Sequence, residues 1–210
     1  MSVWSADCSS VDKEVVFVVD SSQKPSEEQS WLDVLSFVEA IVNKLSVTMG
    51  AVRVAVVRYC DTAELSIALN HIDHHVHEQI SNLSYDGEKR SDLARALAVT
   101  GTRAFAGARS GARRVVVVVT GHLLASSHLS SAVDDLTSAD IELITVVVSG
   151  YGGVEVDMLR KISSESSMVD DYDKLNDKTD EVVQYICDDR HGIELQTPAE
   201  RGKSSQITDH

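Results

Sequence analysis

Asp20 and Ser22 directly follow an uninterrupted apolar run, Val15–Val19, in the sequence VVFVVDSSQK. Such a run predicts a strand that is buried on both faces and that delivers its last residues to the edge of a sheet. A carboxylate and hydroxyls gathered at a strand end are oxygen ligands that suit a hard cation such as Mg²⁺. Lys24 adds a positive charge to the same segment, so the residues alone leave open whether a metal binds there.

Four histidines form a second group of candidate ligands, in the segment NHIDHHVHEQ at 70–79. They are His71, His74, His75 and His77. On a helix over 73–82, residues three or four apart share a face, but a closed zinc site needs three or four ligands in tetrahedral geometry. We therefore expect a solvated cluster that changes charge between about pH 5 and 7, with zinc binding as the alternative.

The sequence contains no recognisable catalytic constellation. The first predicted strand is followed by DSSQK instead of a glycine-rich phosphate-binding loop, and no G-x-S-x-G motif occurs. Cys60 lies inside an apolar run and has no nearby histidine in sequence, so it is predicted to be a small core residue. We expect a protein that is not an enzyme.

Composition and charge limit the kinds of partner. The chain has 210 residues, 43% of them hydrophobic, with only 2 prolines, which is typical of a globular domain. The formal net charge of −14 disfavours nucleic acids, because phosphate binding needs a basic face. Apolar runs such as Val115–Val119 are too short to cross a bilayer, so no membrane insertion is expected.

Strand and helix patterns alternate along the chain. Strands are predicted at about 14–19, 52–60, 64–69, 114–120, 142–149 and 167–170. The first helix is predicted to begin near Pro25 and to carry an apolar stripe from Trp31 to Leu45. Further helices are predicted at about 73–82, 91–106, 127–138, 154–164 and 177–187.

This alternation predicts an α/β fold with a doubly wound, mostly parallel six-stranded sheet and helices on both faces. Segment 64–69 alternates apolar and polar residues and follows its neighbour after Asp61 and Thr62, so it is predicted to be an antiparallel edge strand. Ligands of such sheets bind at the carboxyl ends of the strands. The ends of the first and fourth strands are therefore where a site is expected.

The order of these segments resembles the von Willebrand factor type A domain, called the I domain in integrins. DSSQK at 20–24 is similar to the family motif D-x-S-x-S, and VAVVRYC at 54–60 is similar to VAVVQYS. YDGEKRSDLARAL at 85–97 is similar to the family motif Y-x-G-G-T-x-T-G-x-A-L, and VVVVVTGH at 115–122 is similar to VVVVITDG. DDYDKL at 170–175 is similar to a late DDFDKL phrase. With Cys8 and Cys187, that phrase implies the extracellular-matrix subgroup, which includes matrilins and type VI collagen modules.

In this family a divalent ion, usually Mg²⁺, binds at the metal-ion-dependent adhesion site, or MIDAS. The resemblance places its five ligand positions at Asp20, Ser22, Lys24, Ser91 and Gly121. Asp20, Ser22 and Ser91 keep an oxygen ligand, whereas Lys24 and Gly121 do not. Since affinity for such ions depends on ligand charge, the resemblance implies a degenerate site without a cofactor; Mg²⁺ bound at low affinity is the alternative.

Two further features concern covalent modification and domain bounds. Cys8 and Cys187 bracket the folded segment and could form a disulfide if its ends meet. Asn82 begins the sequon Asn-Leu-Ser, which is a glycosylation site only in a secreted protein. We expect a type A domain over 8–188 and a C-terminal tail or linker over 189–210.

The resemblance implies a secreted, non-catalytic adhesion or assembly module of the extracellular matrix. It would be one module of a larger or oligomeric protein and bind a protein partner, such as collagen or another matrix protein, without a divalent metal. Two alternatives stay open: a metal-dependent adhesion receptor domain with a rearranged Mg²⁺ site, and an intracellular A domain in complex assembly.

Overall fold

The computed structural model describes Cys8 and residues 10–22, 27–45, 50–121, 128–150 and 156–188. The strands are β1 Lys13–Asp20, β2 Val52–Tyr59, β3 Ala63–His71, β4 Arg113–Thr120, β5 Ile141–Val148 and β6 Glu165–Val169. The α-helices are α1 Glu27–Leu45, α2 His74–Ser81, α3 Leu93–Val99, α4 Leu129–Ser138, α5 Val156–Ile162 and α6 Thr179–Cys187. Lys24 and the predicted tail over 189–210 lie outside the described residues.

The six strands form one sheet in the order β3-β2-β1-β4-β5-β6. β1 pairs in parallel with β2 and β4, β5 continues the parallel order to β6, and β3 is antiparallel to β2 at one edge. The predicted fold class is therefore confirmed, including the antiparallel edge strand. No helix in the described ranges is long and apolar enough to span a membrane.

Apolar side chains of β1 face two separate helical layers, because successive residues of a strand point to opposite faces. Val15, Phe17 and Val19 pack in a cluster with α1, α2 and α6. Val16 and Val18 pack on the other side with α3, α4 and Leu159 of α5. Burial on both faces explains why the parallel strands read as continuous apolar runs.

The amino end of β1 is fixed by a buried carboxylate, that of Glu14, whose side chain is 0% exposed. Glu14 accepts hydrogen bonds from Arg53 Nη2 at 2.6 Å and Nε at 2.9 Å. It also accepts from Arg109 Nε at 2.8 Å and from the Arg109 backbone N–H at 3.0 Å. We call these three residues the Glu14 cluster; it ties β1, β2 and the loop before β4 together.

The two ends of the described chain meet at this same end of the sheet. Cys8 and Cys187 form a disulfide with a Cα–Cα distance of 4.4 Å, as expected for a pair that brackets the domain. The Lys13 ammonium donates to Cys8 O at 3.2 Å, and Arg113 donates to Ile186 O at 2.9 Å. Both terminal segments are thus held against the first residues of β1 and β4.

Two helical segments differ from the predicted pattern. The predicted 91–106 helix ends as α3 at Val99 and continues as a π-helical turn, Thr100–Ala104, in which the Thr100 hydroxyl donates to Ala96 O at 2.9 Å. A 3₁₀ helix, Tyr172–Lys178, precedes α6 and starts where Asp171 accepts the Tyr172 N–H at 2.7 Å. This 3₁₀ helix brings Tyr172 to the carboxyl end of the sheet.

Candidate binding site at the carboxyl ends of the strands

Asp20, the last residue of β1, is the centre of the candidate site and is 1% exposed. Its carboxylate accepts the Ser22 N–H at 2.9 Å, the Ser91 hydroxyl at 3.3 Å and the Thr120 hydroxyl at 3.4 Å. The structure thus brings Asp20, Ser22 and Ser91 together, as their predicted positions require. With Gly121, which follows β4, we call these residues the tip site.

The loop before α3 holds Ser91 beside Asp20. Ser21 is fully buried, and its hydroxyl donates to the Asp86 carboxylate at 2.6 Å. The Gly87 N–H donates to Ser21 O at 3.1 Å, and Gly87 has a φ of 67°, a conformation that favours glycine. These contacts fix the 84–92 segment against the end of β1.

Tyr172 covers Gly121, the position that the sequence resemblance assigns to the family's second metal-binding carboxylate. A Cβ atom at Gly121 would lie 2.0 Å from the Tyr172 Oη and 2.8 Å from its Cζ, closer than real Cβ contacts occur. Tyr172 is 4% exposed and belongs to the core on the α1 side of the sheet. The residue pattern identified Gly121 as a lost ligand but missed Tyr172, although Tyr172 differs from the Phe of the DDFDKL phrase.

Tyr59 is the second aromatic residue that the sequence did not single out. It ends β2, pairs in register with Asp20 and is 1% exposed. Burial, and then the negative charge of Asp20, raise the pKa of Tyr59 well above its ordinary value, while the nearby Thr120 and Ser91 hydroxyls oppose the rise. The raised pKa keeps the Tyr59 hydroxyl neutral, and among the described residues no group makes a well-formed hydrogen bond to it.

The described residues do not fit the ligand set of the family. A tight Mg²⁺ site needs near-octahedral oxygen ligands with carboxylate charge. The tip site supplies one carboxylate, and the place of the second is closed by the Tyr172 ring. Across the described part of the chain, no group of three or more His, Cys, Asp or Glu side chains is arranged to hold a metal.

The predicted histidine cluster lies away from the tip site. His71 ends β3, whereas His74, His75 and His77 lie on the first turn of α2. Asp73 caps this helix by accepting the Val76 N–H at 3.0 Å, and this bond lowers the pKa of Asp73. In the described structure, no three of these four histidines are arranged to hold a metal ion together.

Asn82 of the sequon is exposed and forms the C-cap of α2, where its Nδ2 donates to Glu78 O at 2.8 Å. The third sequon residue, Ser84, is also exposed, and its hydroxyl contacts Arg58. The amide of Asn82 thus stands at the surface, next to an irregular segment. Glycosylation there stays a prediction.

A polar groove of about 340 Å³ lies between the β2–β3 turn and the 84–92 segment. It is lined by Arg58, Cys60, Asp61, Thr62, Glu64, Asp86 and Glu88. Arg58 already forms ion pairs with Glu64 at 2.8 Å and Asp86 at 3.2 Å. The groove therefore has an excess of negative charge, which opposes a carboxylate from a partner unless a cation is present.

The sequence profile of the von Willebrand factor type A domain matches residues 14–181. Together with the sheet order and the place of the tip site, this match shows that the chain belongs to the von Willebrand factor type A domain family. Domains of this family are generally non-catalytic interaction modules, and they can bind a metal at the MIDAS.

Solved structures with the same fold include a matrix protein. Proximal thread matrix protein 1 from the mussel byssus matches with a TM-score of 0.76 and 16% identity, over 84% of this chain and 48% of that one. A second structure of it, described as having a zinc-occupied MIDAS motif, matches with a TM-score of 0.76 and 14% identity over the same shares of the two chains. A von Willebrand factor type A protein from Catenulispora acidiphila matches with a TM-score of 0.71 and 18% identity, over 84% and 43%. At these identities the likeness concerns the fold, and this chain spans about half of each protein.

No match was found among curated protein sequences.

Proposed function

We propose that this chain is a secreted adhesion or assembly module of the extracellular matrix. It binds a protein partner, such as collagen or another matrix protein, without a bound divalent metal, and has no catalytic activity. Its domain extends over 8–188 and is one module of a larger or oligomeric protein, with 189–210 as a tail or linker.

Three observations support the matrix assignment. The family is one of interaction modules, and a protein with the same fold is a thread matrix protein. The Cys8–Cys187 disulfide is typical of proteins that fold in an oxidising compartment. The exposed Asn82 sequon is accessible to glycosylation in that compartment.

The observation that carries the metal-free mode is the contact between Gly121 and Tyr172. Since a Cβ at position 121 would lie 2.0 Å from the Tyr172 hydroxyl, the structure leaves no room for a carboxylate side chain at that position. Lys24 occupies the position of another ligand in sequence and brings a positive charge. With only Asp20 as a carboxylate, the tip site has half the ligand charge of the family's site.

The test is solid-phase binding of the purified chain to fibrillar and microfibrillar collagens and other matrix proteins, with and without EDTA. We expect equal binding in both conditions. The variant Asp20→Asn, checked for folding by circular dichroism, should bind within about twofold of the wild type, because in this mode Asp20 holds no ion. Binding that EDTA abolishes would instead support a metal-dependent receptor domain.

Localisation has a separate test. Non-reducing mass spectrometry of the native protein should find Cys8 and Cys187 linked and Cys60 as a free thiol. Expression through a secretory route should give a glycosidase-sensitive mass increase that Asn82→Gln removes. Free Cys8 and Cys187 thiols in the native protein would favour the intracellular complex-assembly alternative.

A further inference from the structure

We propose that Tyr172 is the residue that makes the tip site selective against divalent ions, and that Gly121 and Tyr172 act as one exchangeable pair. In this chain the phenol hydroxyl of Tyr172 takes the space that a side chain at position 121 would need. The inference rests on the proposed metal-free function and specifies which residue causes it.

The overlap at position 121 is too large for a small adjustment. The atom that a Cβ would meet first is the Tyr172 Oη, at 2.0 Å, followed by Cζ at 2.8 Å and Cε2 at 3.5 Å. A phenylalanine at 172 would remove the first contact but leave Cζ at 2.8 Å, still closer than real Cβ contacts occur. A leucine at 172 would remove all three atoms.

The backbone just before Tyr172 is held in place by contacts with the end of β5. Ser149 donates its N–H at 2.9 Å and its hydroxyl at 3.2 Å to Val169 O, at the end of β6. Gly150 lies so close to the segment after β6 that a Cβ atom at position 150 would be 1.9 Å from Asp170 O. Both Gly121 and Gly150 therefore make room for the 169–172 segment, which is clamped across the ends of β4 and β5.

A carboxylate introduced at 121 must consequently displace a buried ring whose backbone is held on both sides. Restoring the ligand in sequence is not sufficient to restore the site. The outer atoms of the Tyr172 side chain, Oη and Cζ, must also be removed.

The test is calorimetric titration with Mn²⁺ and Mg²⁺ of two variants that differ only at position 172. These are K24S/G121D and K24S/G121D/Y172L; the Lys24 substitution is common to both and does not affect the comparison. We expect the triple variant to bind Mn²⁺ at least tenfold more tightly than the double variant. Equal affinity, or a folded triple variant that binds no ion, would overturn the proposal.

A second measurement needs no metal and covers variants that fold poorly. Gly121→Ala should lower the melting temperature, whereas the same change in a Tyr172→Leu background should lower it much less, because the colliding atoms are absent. Losses that simply add would contradict the pairing of the two residues. Failure of the proposed function has a different signature, namely partner binding by the wild type that EDTA abolishes.

Discussion

Removal of the Cys8–Cys187 disulfide should lower the free energy of unfolding by about 5 kcal/mol, estimated from loop-closure entropy. The perturbation is the double variant C8A/C187A. Alanine is chosen because both cysteines are buried and a serine would add buried hydroxyls without planned partners.

The magnitude follows from the length of chain that the bond closes. The two cysteines are 179 positions apart, so nearly the whole domain lies inside the loop. A 100-residue loop is worth about 4.7 kcal/mol in the chain-entropy model, and the logarithmic dependence on length adds about 0.5 kcal/mol here. Since a domain is typically stable by about 5–15 kcal/mol, the loss should be large enough to approach unfolding.

The contacts that hold the ends in the folded state do not offset this loss. Lys13 and Arg113 bind terminal backbone carbonyls, but they act on the native state, whereas the bond acts mainly by restricting the unfolded chain. The guanidinium midpoint of the double variant should therefore lie well below that of the wild type.

The assay is guanidinium unfolding followed by tryptophan fluorescence, with Cys60→Ala as the matched control. Cys60 is buried and free, so its substitution measures the loss of one packed sulfur, about 1 kcal/mol, without opening a loop. A C8A/C187A loss no greater than twice the Cys60→Ala loss would refute the reasoning from loop closure.

Three other substitutions test buried groups. Glu14→Gln should lower the free energy of unfolding, measured in urea, by about 2–4 kcal/mol. This value is discounted because the side chains of Arg53 and Arg109 are 15% and 24% exposed. Burial raises the pKa of Glu14, but hydrogen bonds from Arg53 and Arg109 outweigh this effect, so the pKa is lowered. The wild type should therefore have the full stabilisation above about pH 4.5, the ordinary pKa of glutamate, and lose it as the pH falls through the lowered pKa. The stability of the Glu14→Gln variant should not show this pH-dependent step. Tyr59→Phe should leave stability unchanged or raise it by up to about 1 kcal/mol, since the hydroxyl is buried without a well-formed bond to a described residue; a loss above about 1 kcal/mol would contradict this. Gly121→Ala should cost at least about 2 kcal/mol in thermal unfolding because of overpacking, and a neutral effect would contradict the contact with Tyr172.

The sheet could be predicted from the sequence because its burial is continuous. β4 lies between two strands and two helical layers, so Val115–Val119 admits no polar residue. β3 lies at the edge, and its alternating pattern reports one solvated face. The π-helical turn at Thr100–Ala104 carries no comparable signal, because its backbone pattern departs from a regular helix over only five residues.

The tip site could be predicted where the sheet alone determines distance. Asp20 and Ser91 lie 71 positions apart in sequence. Their side chains meet at 3.3 Å because the loop before α3 passes over the carboxyl end of β1. The Glu14 cluster could not be found in this way. Glu14 follows the same apolar pattern as its neighbours, and only the meeting of three separate segments shows which arginines neutralise it.

Tyr172 shows why a ligand list does not define this site. In sequence, glycine at 121 is read as the loss of a carboxylate, and tyrosine at 172 as a conservative replacement of phenylalanine. Nothing in the sequence indicates that these two positions are in contact. Their connection depends on where the 169–172 segment crosses β4, and that crossing is set by the close approach of Gly150 to Asp170 O. Once the segment is fixed, the added hydroxyl and the absent carboxylate are one change in packing, since either group excludes the other from the same few ångströms. With the proposed pairing of Gly121 and Tyr172, we expect metal affinity at the tip site to depend on position 172 as well as on the ligand positions.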